Sequence, residues 1–248
     1  MEVVVRALVV EELSDRVVVR LHRPEARNAV NGEMVRELHD VCAGLERVPK
    51  PLLVTGSEGV FAAGADIGEL RQRGRDEALQ GINSTLFERI RRLPMPTVAA
   101  VDGYALGGGA ELAYACDIRL ASTRAKFGNP EPNLGIIAGA GACWRLKDLV
   151  GEPLAKLVLL AGHIIDAAEA AACRLVAEVL EPDELEQAAH RLIDRMTKVS
   201  ATALRLTKLV MDAPPGSHPL ADHLAQAALF EDPDKQARMT KFLEKRRD

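Results

Sequence analysis

Aromatic side chains are scarce in this sequence. They supply 3% of 248 residues, and Trp144 is the one tryptophan. That scarcity argues against stacking platforms for nucleic-acid bases. Positive charge is not in excess either: the net charge is −4, with 27% of residues charged, so a phosphate-tracking surface is not expected. No apolar run approaches the roughly 20 residues that span a bilayer. The first residues, Met-Glu-Val-Val-Val-Arg-Ala, lack the basic-then-apolar pattern of a secretory signal. The four cysteines, Cys42, Cys116, Cys143 and Cys173, are far apart, sit among Ala, Leu and Val, and form no C-x-x-C pair. They predict buried, reduced thiols in a cytoplasmic protein rather than zinc or redox chemistry. The six histidines show no metal-ligand spacing. The expected partners therefore include no metal, no nucleic acid and no membrane.

What the chain does have is a hydrophobic fraction of 48%, enough for a real core in one sizeable domain with at most a small appendage. Strand and helix signals alternate through the first part. Arg16–Leu21, Pro51–Thr55, Thr97–Val101 and Asp117–Ala121 read as strands. Val35, Leu38, Cys42 and Leu45 recur at helical spacing, and Asp76–Leu93 reads as one helix stopped by Pro94 and Pro96. From Glu152 onward the sequence is rich in Ala, Leu, Glu and Arg. Asp183 and Glu186 are spaced as a capping box. Ala-Pro-Pro-Gly at 213–216 is a break, and helices are expected around 220–230 and 234–246. The pattern is an α/β core, residues 1–190, followed by a helical C-terminal region, residues 191–248.

Three segments carry chemistry. In the first, a strand runs into Gly107-Gly108-Gly109 and then into a helix with Glu111 in its first turn. Free N–H groups at a helix start can receive a negative oxygen, and glycine lets a ligand approach the main chain. The same features also fit a tight turn with Glu111 complementing the helix dipole. The run lacks the Gly-Lys-Ser/Thr of a phosphate loop and the G-x-G-x-x-G of a dinucleotide site. The second segment is Phe61-Ala-Ala-Gly-Ala-Asp-Ile-Gly68, again small-residue rich. The third places Glu131 between Pro130 and Pro132, where the backbone is restricted. Taken alone, such an acid also reads as surface punctuation. Arg71-Gln-Arg-Gly-Arg75 reads as a solvated loop.

In order and together, these segments resemble the enoyl-CoA hydratase/isomerase family of the crotonase superfamily. Leu21–Ala29, Phe61–Asp66, Asp102–Asp117, Gly128–Gly141, Leu160–Val176 and Phe242–Arg246 each resemble a family signature, so the likeness runs through nearly the whole chain. It implies a crotonase-like spiral of ββα units with a helical C-terminal region that serves in trimerisation or as a lid. It implies a hydro-lyase acting on an acyl-CoA thioester, with coenzyme A part of the substrate and no separate cofactor. The family's two oxyanion amides fall on Ala65 and Gly108, and its two acid–base glutamates on Glu111 and Glu131, twenty residues apart as in the hydratases. Ala26, Arg27, Ala63, Asp66, Ile67 and Gly107 match substrate-contacting positions. Phe242 and Lys245, within the basic end Lys245-Arg246-Arg247, match residues that cover the adenine, and the assembly implied is a homotrimer or a dimer of trimers. The superfamily also isomerises, cleaves and hydrolyses thioesters, and a dead site would merely bind acyl-CoA. The chain departs from the family pattern at Ala138 (usually Pro), Ala142 (usually Gly) and Cys173 (often Gly), positions that bear on the width of the acyl pocket.

Overall fold

The structure is a computed structural model that describes residues 7–245. Strand β1 (Leu8–Glu12) pairs antiparallel with β2 (Val17–Leu21). Helix α1 (Gly32–Arg47) crosses to β3 (Leu52–Thr55), and α2 (Ile67–Gln72), α3 (Arg75–Gln80) and α4 (Ile82–Arg91) lead to β4 (Thr97–Val101). Then follow β5 (Tyr104–Leu106), α5 (Gly108–Ala115), β6 (Ile118–Ser122), β7 (Lys126–Gly128), α6 (Ala142–Val150) and α7 (Glu152–Ala161). The chain continues through β8 (Ile165–Asp166), α8 (Ala167–Ala172), β9 (Glu178–Leu180) and α9 (Leu185–Thr197). Helices α10 (Ala201–Met211), α11 (Leu220–Phe230) and α12 (Pro233–Glu244) complete it. Among the described residues no helix is long and apolar enough to cross a membrane.

Strands β1-β2-β3-β4-β6-β9 form one sheet, parallel from β2 onward, and β5-β7-β8 form a second. The two sheets arise from a repeated move. A strand laid in the large sheet (β4, β6) is followed at once by a short strand in the small one (β5, β7) and then by a helix. This is the expected spiral of ββα units. Side-chain alternation sorts the large sheet into two faces. Val18, Leu53, Val98 and Leu120 pack with Leu185, Ala188, Ala189 and Ile193 of α9. Val19, Val54, Ala99 and Val101 pack the opposite way, into the main core with α1. Both faces are covered, which is why the parallel strands are mostly apolar.

Three local expectations change. The helix expected over 76–93 is broken at Gly81, whose φ of +60° ends α3 and restarts the chain as α4. The capping box at Asp183 and Glu186 does not form: Glu184 is the N-cap of α9 with no side-chain cap bond, because the Glu186 carboxylate is taken by Arg20, at 2.7 and 2.9 Å. The expected boundary at 190/191 falls inside α9, which packs on the sheet as one unit through Ile193. From α10 onward no helix has a buried residue. Arg246 and Arg247 lie outside the described residues.

Candidate active site

The first wall of the site is the loop at residues 62–66, held from two sides. On one side Val30 N–H donates to Gly64 O at 2.8 Å and Asp66 N–H donates to Val30 O at 2.9 Å. On the other, Ala62 N–H donates to Tyr104 O and Leu106 N–H to Ala62 O, both at 3.0 Å, fixing the loop to β5. These bridges use the amides around Ala65 and leave its own N–H without an acceptor among the described residues. Gly108 opens α5, so its N–H also has no intrahelical partner. The two amides are neighbours: a Cβ built on Gly108 would lie 3.4 Å from Ala65 N.

The glycine run makes that approach feasible. Gly107 has φ +49° and ψ −127°, backbone that a side chain disfavours, and its N–H donates to Gly128 O at 2.8 Å. Gly109 lies directly against the loop, where a Cβ would meet Ala62 O at 2.2 Å. One helix start therefore supplies an amide and docks against the segment that supplies the other.

Glu111 follows one turn later on α5 and is 4% exposed. Its Oε1 accepts the Ala140 and Ala142 amides at 2.8 and 3.1 Å. Burial raises its pKa to about 7 against those two donors, and the charge of Glu131 pushes the same way. Glu131 begins a 3₁₀ turn, Glu131–Leu134, and is 8% exposed. Burial raises its pKa as well. Its Oε1 faces Gly107 and takes a long bond of 3.5 Å from Asn129 Nδ2, while its Oε2 is buried with no partner. Asn129 is itself oriented by the buried Tyr114 hydroxyl, 3.4 Å from its Oδ1. Two carboxyls of raised pKa thus stand beside two amides that donate to nothing, a combination that can hold an oxyanion and move protons next to it.

The remaining expected residues are placed as follows. Ala26 and Arg27 close the turn at Pro24–Ala26, and Arg27, exposed with φ +49°, accepts the Ala63 amide on its carbonyl at 3.0 Å. Ala63 is half-buried within the loop. Asp66 caps α2 by accepting Glu69 N–H and pairs with Arg23 at 3.1 Å, contacts that hold its carboxyl below the usual range. Its side chain is therefore committed to the loop's shape. Ile67 is exposed at the first position of α2. Phe242 and Lys245 are exposed at the end of α12, an element separate from those that hold the amides and carboxyls.

Sequence reasoning passed over four contributors. Asn129 orients Glu131, yet it stood in plain view in Gly128-Asn-Pro-Glu131. The amides of Ala140 and Ala142 left no signal beyond a small-residue run. Asn28, fully buried with φ +56°, bonds Arg23 N–H, Ser57 and Val60 O and so fixes the turn that carries Arg27.

The profile of the enoyl-CoA hydratase/isomerase family matches residues 14–248. A short-chain-enoyl-CoA hydratase of Clostridium acetobutylicum is 36% identical, over 97% of this chain and 95% of its own. A crotonyl-CoA hydratase of Syntrophomonas wolfei is 36% identical over 97% and 96%. A crystal structure of an enoyl-CoA hydratase from Bacillus anthracis superposes with a TM-score of 0.91 at 28% identity, covering 96% of each chain.

Proposed function

The chain belongs to the enoyl-CoA hydratase/isomerase family, and from that premise we propose that it adds water to a trans-2-enoyl-CoA, giving a 3-hydroxyacyl-CoA. The thioester oxygen lies between the amides of Ala65 and Gly108. As a water oxygen bonds to the β-carbon, the electron pair of the double bond moves toward the thioester oxygen, and the amides oppose the enolate charge. One such donor is worth about 3–4 kcal/mol of barrier. Glu111, whose anion is supported by two amide donors, holds the water and takes its proton. Glu131, poorly supplied with donors and therefore favoured as the acid, delivers a proton to the α-carbon on the same face. A proton passed between the two through a further water restores the starting state.

The single observation that carries this reading is the buried carboxyl pair next to two unengaged amides. Coenzyme A arrives as part of the substrate, so the reaction calls for no separate cofactor. Ala26, Arg27, Ala63, Ile67 and Gly107 border its path, with Phe242 and Lys245 of a neighbouring subunit over the adenine. The assembly is a homotrimer or a dimer of trimers in the cytoplasm.

Glu111→Gln and Glu131→Gln test the proposal. Each is expected to lower kcat on crotonyl-CoA by about 10²-fold or more, with product mass in the wild type rising by one water. Full turnover in either variant would remove the assigned pair, and a product of unchanged mass would indicate isomerisation instead.

A further inference from the structure

Asn83 is the second residue of α4, placed there by the break at Gly81, and it is half-buried. Its Oδ1 is cut off from solvent and accepts no bond, and its Nδ2 donates to none among the described residues. Taking a carboxamide out of water with neither end bonded destabilises the free protein. Leucine or alanine would also be the better helix former at this position. A buried polar group left unpaired in this way calls for a reason outside the fold itself.

The reason lies in what the nitrogen faces. Helix α4 packs beside α5, and this brings Asn83 Nδ2 to the pair of unengaged amides. The place that a side chain would take on Gly108 is open. It is two bonds from the Gly108 nitrogen, 3.4 Å from Ala65 N and 3.6 Å from Asn83 Nδ2. The next nearest atom is Ala65 Cβ at 3.7 Å, so none of these neighbours is an acceptor. Three N–H donors thus border one gap, an arrangement that favours an electron-rich atom within it.

The number of donors matters. A thioester carbonyl oxygen has two lone pairs, and the Ala65 and Gly108 amides take up both. An enolate oxygen has three. The third becomes available only as water bonds to the β-carbon, so a third donor finds its acceptor in the transition state and not before. Resting on the hydratase reading above, we propose that Asn83 is a catalytic residue, its Nδ2 the third donor to the thioester oxygen as that oxygen becomes an enolate.

Unlike the two amides, this donor is a side chain and can be removed. Asn83→Leu takes away the donor together with the orphaned Oδ1, so the fold is expected to hold. Its kcat on crotonyl-CoA should fall about tenfold or more, with KM nearly unchanged. Two further thioesters separate charge from shape. Butyryl-CoA presents a neutral carbonyl, and acetoacetyl-CoA can bind as an enolate, read by its ultraviolet absorbance. Affinity for butyryl-CoA should stay as in the wild type. The pH at which bound acetoacetyl-CoA ionises should rise by about one unit or more, the same tenfold. Asn83→Ala, measured in the same way, serves if the leucine variant fails to fold. Wild-type kcat in a folded variant overturns the inference. So does an equal loss of affinity for both thioesters, which would make Asn83 a wall of the pocket and no more. If the wild type holds the enolate and the variant loses it while neither hydrates crotonyl-CoA, the third donor stands and the hydratase reading falls. Hydration by the wild type with an unaltered variant does the reverse.

Discussion

At Gly109 the missing side chain is a geometric requirement. All three atoms that a Cβ would strike, Ala62 O at 2.2 Å, Ala62 Cβ at 2.7 Å and Ala62 C at 2.8 Å, belong to the segment leading to Ala65. Gly109→Ala should therefore separate the two amides and lower kcat on crotonyl-CoA by about 10²-fold, with circular dichroism retained. Gly44 in α1 is the control. A Cβ there meets nothing within 4 Å, so Gly44→Ala should stabilise by about 0.5–1 kcal/mol and leave turnover alone. The carboxyls make a second argument at this scale. With a folded pKa of about 7 against an ordinary 4.5, Glu111 keeps its proton in the fold at pH values where the unfolded chain has released it. Stability from this group is therefore fully present below about pH 4.5 and declines as pH rises to about 7. The total is on the order of 3 kcal/mol. Glu111→Gln cannot ionise, and its amide oxygen can still accept from Ala140 and Ala142. Denaturation at two pH values checks this: the variant should match the wild type near pH 4.5 and exceed it at pH 8. A variant less stable than wild type at both values would contradict the raised pKa.

At the scale of the element, α5 explains how eight residues beginning with two glycines stay helical. A helix this short is marginal by itself. Its N-terminal end is pressed against the 62–66 loop, and two guanidinium groups bind its other end. Arg119, almost fully buried, donates to the carbonyls of Ala113, Cys116 and Leu175, and Arg145 donates to that of Tyr114. Cations at a helix C-terminus also complement its dipole. Arg119→Met would strand these acceptors, and each buried orphan costs about 1–3 kcal/mol. A loss on the order of 3 kcal/mol or more in chemical denaturation is expected. The strands β2, β3 and β4 were legible in the sequence because buried parallel strands are short, continuous apolar runs. Strands β5 and β7 were not: three residues each, they exist only because they pair with each other and with the 62–66 loop and β8.

Across the whole molecule, exposure is uneven. Helices α10, α11 and α12 bury no residue, yet Leu209, Met211, Leu220, Leu224, Phe230, Met239 and Leu243 stand exposed on them. Where such exposed apolar side chains lie side by side, they are what an interaction face presents. In line with the proposed trimer, light scattering should give three or six times the protomer mass. Leu220→Asp with Leu224→Asp, one turn apart on α11, should shift it toward the protomer while helical content remains. A protomer mass for the wild type would refute the assembly.

The sequence by itself determined the family likeness, the two acids twenty residues apart, and strands β2, β3, β4 and β6 with helix α1 among them. Each is written in local pattern: a glycine run before a helix, an acid between prolines, apolar runs between breaks. Tertiary structure alone decided that Gly108 lies against Ala65, that Ala140 and Ala142 support Glu111, and that Asn83 stands beside the amide pair. Those facts depend on which backbone atoms meet after distant segments fold together, and no residue records its future neighbour. Burial follows the same rule: Glu111 acquires its unusual acidity only once the chain has taken it out of water.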